Sequence, residues 1–461
     1  MPKKNITLYL LILLTSIATH FAHADFNKGM DHYVKGEYEF AFKEFMSVAQ
    51  YGDHDAQQNI GAMYFRGEHV EKNTIEAYAW FALAAQDPTI NQNKIHLKIL
   101  KQLNETQQSA AKKRYESLLD EYANDVVIAK LTPKFIGKNA GFKERRAIKK
   151  VAPQYPTDML RQGKAGFVDV IFTVDKYGFT RDHMVYYSPS QSFTDAAIAA
   201  LRKFQYEPAK IDGKPIDING YKTRHNFYID GHRINNEKLG NIVDDLRKKA
   251  KVGNSSDQLA YAYFLEAIPS FTSDFELTDN PNEWYMQSAK NGNGAASYFL
   301  GRNILYGNMC EQDTNQSMAW LLKAAKQGIP EAQYMLALES FSGAHFAKDE
   351  KKGFYWLEQA AARNNQAKVR LAWILATHPD ATKRNGKVGE SHVNQVPDDY
   401  LDKQNYFQTK AAIAAENGDF KSAIKWQKKA VKDAKKLELP LEIIEQRLAS
   451  YSTKKPWREE I

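Results

Sequence analysis

Two hydrophobic periods divide the chain. Through most of it apolar residues recur at the three- to four-residue spacing of a helical face. Trp284, Trp320 and Trp356 lie 36 residues apart, and Ala289, Ala325 and Ala361 keep that interval. Gly292 and Gly328 do the same, with Asn364 in the next slot. Nearer the start, Phe45 and Trp80 are 35 residues apart, as are Ala49 and Ala84. Each unit reads as two short helices. The second carries Trp and, one turn later, an Ala pair, as in Trp320-Leu321-Leu322-Lys323-Ala324-Ala325. Small Ala side chains admit a neighbouring helix while Trp fills the gap beside it, so these residues read as packing. The Gly or Asn that follows suits a left-handed helix end. From Asn91 to Val127 no Gly interrupts. Ile95, Ile99 and Leu103 share one face, and Asn104 is placed to cap a helix from Glu105 to Tyr122. This pair is expected to close the first array.

From about Arg145 to Gly231 the period falls to two. Val168, Val170, Phe172 and Val174 alternate with Asp169, Ile171 and Thr173, the pattern of a strand with one buried face. Asp175-Lys176-Tyr177-Gly178 predicts a turn, and Thr180 to Ser188 a second strand. Ser192 or Thr194 is expected to cap a helix carrying Ala196, Ala197, Ala200, Leu201 and Phe204. Asp212-Gly213-Lys214-Pro215 marks another turn. Tyr221, Thr223, His225, Phe227 and Ile229 then alternate with polar neighbours in a final strand. The fold class expected is α+β: mainly helical repeat arrays flanking one small β-β-α-β domain. Its parts are a first array with capping helices over 25–130, the sheet domain over 140–232, a second array over 240–370, and a helical module over 371–461. In that module Gly418 ends one helix and Asp419 opens the next. Its Lys421, Lys425, Lys428, Lys429, Lys432, Lys435 and Lys436 read as a solvated face.

Composition narrows the chemistry. The 461 residues carry 63 Lys+Arg against 55 Asp+Glu, a net charge of +8 spread along the chain. That excess does not support nucleic-acid binding. Cys310 is the only cysteine, which excludes an internal disulfide and a Cys-cluster metal site. His225 and His232 lie seven apart with no third ligand in view, and His183 and His378 read as surface or capping residues. The sequence has no G-x-S-x-G elbow, P-loop or H-E-x-x-H helix. No catalytic residue, cofactor, metal or small-molecule substrate is expected. Lys3 and Lys4, the apolar run Leu8 to Ala18, and Ala22-His23-Ala24 form a signal-peptide pattern over residues 1–24. Cleavage would deliver the chain to the periplasm. The alternative is an uncleaved anchor in the inner membrane, with the rest facing the periplasm.

Several segments resemble known families. Ala56-Gln57, Gly61, Tyr64, Gly67, Ala77, Trp80 and Ala84-Ala85 resemble a Sel-one-like repeat. So do Ala295, Gly301, Tyr306-Gly307, Ala319-Trp320 and Ala324-Ala325, and then Ala332-Gln333, Leu336, Gly343, Gly353, Trp356 and Ala360-Ala361. Residues 371–461 resemble a tetratricopeptide module. The sheet segment resembles the TonB C-terminal domain through Tyr155, Pro156, Gly166, Gly178, Phe193, Phe204, Pro208 and Gly213. That family links an inner-membrane proton-motive motor to outer-membrane receptors, and its domain can receive an extended receptor segment beside a sheet edge. The resemblance implies a binding edge at Tyr221, Thr223, His225, Phe227 and Ile229, working by strand addition. It implies periplasmic or outer-membrane protein partners, with cell-wall or inner-membrane motor components as further ones. Three departures stand out: the apolar N-terminal run is shorter than the roughly 20 residues a full membrane anchor needs, no Pro-rich spacer precedes the domain, and helical arrays lie on both sides of it. The function expected is a non-enzymatic periplasmic adaptor connected with TonB-type outer-membrane transport. The alternative is an anchored transducer coupling proton-motive force to receptors.

Overall fold

The structure, a computed structural model, describes residues 26–92, 94–136, 147–211, 213–229, 236–270, 275–397 and 399–459. The expected signal or anchor, and His232, lie outside these residues. The α+β organisation is present, with helical repeats on both sides of a small sheet domain.

The repeats are antiparallel helix pairs. His54–Arg66 packs on Thr74–Ala84, Gly294–Tyr306 on Thr314–Lys326, and Pro330–Ser342 on Glu350–Ala361. Side-chain caps start most of these helices: Asn73, Asn293, Asp313 and Asp349 each accept a backbone N–H of the first turn. Trp80, Trp320 and Trp356 are buried as expected. Trp284 is only half-buried, because its neighbour Tyr285 turns into the core at that position. Gly328 takes the left-handed conformation at φ 77°. Asn364 does not: at φ −114° it is extended, and its side chain accepts from Ala367 N as the N-cap of Asn365–Thr377. The same slot in the repeat thus serves the end of one helix in one unit and the start of the next helix in another.

Helix Glu105–Tyr122 forms with its Asn104 cap and packs on Thr74–Ala84. The first array nevertheless does not end there. Val127 and Leu131 pack with Trp320 and Cys310, and Trp320 Nε1 donates to Leu131 O at 3.0 Å. Ile136 N donates to Met309 O, and Glu311 N to Lys134 O. Lys326 pairs with Asp53 at 2.5 Å, across 273 positions of sequence. The two arrays therefore abut, although the sheet domain separates them in the chain.

Among the described residues the domain has seven strands: β1 Ala147–Lys149, β2 Gly166–Val174, β3 Thr180–Tyr187, β4 Gln205–Tyr206, β5 Ala209–Ile211, β6 Lys214–Ile216 and β7 Ile218–Phe227. The main sheet is antiparallel in the order β3-β2-β7, with Val170 opposite Thr223 and Phe172 opposite Tyr221. The short pairs β1-β4 and β5-β6 carry no alternation long enough to read from sequence. β7 begins three residues earlier than expected and ends before Ile229. The domain helix, Gln191–Leu201, is capped by Ser190 and not by Ser192 or Thr194. Ser192 instead donates to Asp158.

Val168, Val170, Phe172, Val174, Tyr221 and Phe227 form a core with Phe193, Ala197, Ile198 and Leu201 of that helix. The opposite face is not solvated. Asp169, Ile171 and Thr173 are buried, and Ile171, Met184 and Tyr186 join the core of the second array. Alternation distinguishes an apolar face from a polar one. It cannot tell a polar face in water from one buried with its own ion pairs.

Candidate functional site

The family-motif residues cluster at the core and turns of the sheet domain. Tyr155 stands edge-on to Phe193 and Phe227, at 5.8 and 5.7 Å, and donates to Lys164 O. Pro156 precedes helix Thr157–Arg161. Gly166 lies opposite Phe227, where a Cβ would meet Pro189 Cγ at 2.7 Å. Gly178 forms the β2–β3 turn and gives its carbonyl to Tyr206 N. Phe204 is buried against His225 at 5.7 Å, Pro208 precedes β5, and Gly213 turns between β5 and β6. These residues shape the domain.

On β7, Tyr221, His225 and Phe227 are buried towards the domain helix, and Thr223 is half-buried. Ile229 lies past the strand end. Burial, together with Lys150, pushes the His225 imidazole down to about 4, so it is neutral. Among the described residues no three His, Cys, Asp or Glu side chains are placed to hold a metal ion. The side chains of Tyr221, His225 and Phe227 therefore seat the strand.

The two outer strands differ. On β3, Asp182 adopts φ 56° and the pairing register shifts. The His183 carbonyl accepts from Gln366 Nε2 at 2.8 Å, so helix Asn365–Thr377 covers that side. On β7, no strand pairs with the outer side among the described residues. Its start is tied to the second array: Tyr306 Oη donates to Asn219 O at 3.1 Å, beside Gly220 at φ 79°. A Cβ on Gly220 would fall 1.8 Å from that hydroxyl.

Buried charge fastens the sheet to the helices. Arg224 forks onto Asp169 and donates to Ala267 O at 2.6 Å. Glu266 accepts from Lys222 at 2.7 Å, Arg302 at 2.6 Å and Tyr285 at 2.7 Å. Burial alone would raise the Glu266 carboxyl, but Arg302 and Lys222 outweigh it and hold it ionised. Asp217 is likewise held at about 2 by Arg181 and Arg370 despite its burial. Asp175 goes the other way, up to about 7, through burial and the nearby Asp217. His183 is no surface residue: it is 5% exposed, and burial with Arg202 brings it down to about 3. His378 is buried too and accepts from Asp380 N. Cys310 is buried in its loop, its thiol pushed up to about 12. No repeat or motif marks Glu266, Arg302, Asp217 or Arg370. The only sequence signal is the unusual density of Arg, Lys and Asp at strand positions 169, 181, 182, 222 and 224.

The C-terminal helices also grip the domain. Arg202 pairs with Asp433, Lys149 with Glu438, and Lys176 with Glu459. Lys421, Lys425, Lys428, Lys429, Lys432, Lys435 and Lys436 are exposed.

The family model described as Gram-negative bacterial TonB protein C-terminal matches residues 151–229. The Sel1 repeat model matches 54–87, 294–329 and 330–365. Among solved structures, a Sel1 repeat protein from Oxalobacter formigenes is similar at 16% identity, with 80% of this chain and 98% of that one covered and a TM-score of 0.30. A protective antigen of uropathogenic Escherichia coli strains, which displays an SLR fold, is similar at 18% identity, with 95% and 73% covered and a TM-score of 0.34. No curated protein matches the chain. The chain thus combines Sel1 repeats with a TonB C-terminal segment, both protein-interaction modules, and the latter indicates a Gram-negative envelope protein. No described helix is long and apolar enough to cross a membrane.

Proposed function

We propose that the chain is a non-enzymatic adaptor of the Gram-negative periplasm that carries protein partners on its helical repeats and receives an extended protein segment along β7. The observation behind this reading is the contrast between the two outer strands. β3 is bent at Asp182 and has its His183 carbonyl engaged by Gln366, whereas β7 is tied to the array at its start, through Asn219 O, and no strand pairs with its outer side among the described residues. An added strand gains main-chain hydrogen bonds and needs little from side chains, which suits a strand whose side chains already serve the core. The connection with TonB-type outer-membrane transport rests on the family of the sheet domain. The fixed attachment of that domain to the arrays favours an adaptor, in which both modules act as one body, over a tethered arm that reaches across a compartment.

Photo-crosslinking in cells tests the reading. A photoreactive residue in place of Tyr228, half exposed at the end of β7, is expected to capture an extended segment of an envelope protein. The same residue in place of exposed Lys428 serves as control. Hydrogen exchange of the β7 amides is expected to slow in the captured complex. Identical adducts from both positions, or unchanged β7 exchange in the complex, would reject strand addition.

A further inference from the structure

A cavity of about 410 Å³ lies where the β5–β6 hairpin and the start of β7 meet helix Pro330–Ser342. Its wall is lopsided in charge. Lys176, Arg181, Lys214, Lys348 and Arg370 line it, with Asp217 as the one acidic lining residue among the described residues. Asp217 is shared between Arg181 and Arg370. Further carboxylates stand behind the wall: Asp182 pairs with Arg181, Glu459 pairs with Lys176, and Asp175 acts on Arg181.

The wall also holds buried donors without acceptors. Asn219 is 5% exposed, and its Nδ2 has no hydrogen-bond partner. Arg370 Nε is buried and has none either. Buried polar groups are normally satisfied, and both of these can only donate, so what completes them is an acceptor. Leu338, Phe341 and Ile216 give the cavity an apolar side. Its volume is in the range of small-ligand sites.

We propose that this cavity binds a small organic anion, a carboxylate or phosphate head on a short apolar body. The head meets Asn219, Arg370 and the lysines, and the body lies on Leu338 and Phe341. Sheet domain and second array each supply part of the wall, so the site exists only where they are joined. The proposal does not depend on strand addition at β7.

Calorimetric titration of the full chain tests it. The probes are N-acetyl-leucine and butyl phosphate, with N-acetyl-leucine amide and butanol as their neutral counterparts. The anions are expected to bind with dissociation constants at or below about 1 mM, and the neutral counterparts at least on the order of tenfold more weakly. Lys214→Glu and Lys348→Glu, on exposed side chains, are each expected to weaken anion binding on the order of tenfold while circular dichroism stays unchanged. Preference for one anion identifies the head group. The proposal is overturned if anion and neutral counterpart bind alike, if the folded chain binds neither anion, or if both charge reversals leave affinity unchanged.

Discussion

Asp169 and Arg224 stand directly opposite each other on β2 and β7 and form a two-pronged ion pair on the sheet face that the second array covers. Asp169 is fully buried, and the Arg224 side chain is 6% exposed. Tyr263 donates to Asp169 at 2.6 Å, and Arg224 reaches Ala267 O. A cross-strand pair thereby becomes the bolt between a sheet and the helix Ser255–Ala267. The geometry is specific because a guanidinium offers its donors in a fixed fork.

Removing one partner should cost far more than removing both. Asp169→Ala leaves a buried guanidinium without its counter-charge and is expected to destabilise the chain by about 3–5 kcal/mol. The double variant Asp169→Leu with Arg224→Met buries apolar groups of similar size and should recover most of that loss. Urea unfolding of the full chain measures both. Equal losses in the single and double variants would show that the pair contributes shape alone.

The turn carboxyl of Asp175 sets a pH dependence. Its Oδ1 accepts from Tyr177 N and Phe179 N. Burial, with Asp217 beside it, raises it from its ordinary 3.8 to about 7 in the folded chain. A raised folded-state value contributes stability that is full below the unfolded value and fades as pH climbs through the folded one. Asp175→Asn keeps an oxygen acceptor and removes the titration. The variant is expected to gain stability over the parent as pH rises from about 4 to 7, with a level difference above that. Urea midpoints of both proteins at pH 4.5, 6 and 7.5 give the curve, and the His183 contribution cancels between them. A pH-independent difference would remove Asp175 from this role.

At Gly220 the backbone of β7 lies close against Tyr306 of the array. Its φ of 79° and the nearness of Tyr306 Oη leave no room for a side chain. Gly220→Ala should push the strand start off Tyr306 and speed hydrogen exchange through residues 218–222. Shortening the obstacle with Tyr306→Ala in the same chain should bring part of the protection back, since only the left-handed strain then remains. If the double variant exchanges as fast as Gly220→Ala, the close approach is not what fixes the strand.

The sequence made the elements legible and left their joining hidden. Trp320 and Ala324-Ala325 announced a repeat because a single helix pair must bury them. Val168 to Val174 announced a strand because the side-chain period is two. Neither pattern carries information about what covers the second face of that strand. Asp169, Lys222 and Arg224 look like solvent-facing residues in a linear reading. Their partners Glu266, Ala267 and Tyr263 lie about forty to ninety residues further on. The cavity beside Asn219 is illegible for the same reason, since Leu338, Lys348 and Arg370 come from another array. The alternation of β7 marks it as a strand without showing which element covers its apolar side. Tyr221 and Phe227 join the core of helix Gln191–Leu201.

Asn364 supplies a local test of how repeat slots acquire their roles. In phase with Gly292 and Gly328, it reads as a left-handed helix end, but the structure makes it an N-cap in extended conformation, accepting from Ala367 N at 2.8 Å. The two roles respond differently to substitution. At an N-cap, Asn→Ser keeps an acceptor oxygen and costs little, Asn→Gly costs a few tenths of a kcal/mol, and Asn→Ala costs about 1 kcal/mol. At a left-handed position Gly would be the best residue, and Ser would be as poor as Ala. Thermal midpoints of Asn364→Ser, Asn364→Gly and Asn364→Ala should therefore fall in that order, with Ser nearest the parent. A series led by Gly, with Ser and Ala together below it, would return the residue to the helix-end role that its place in the repeat implies.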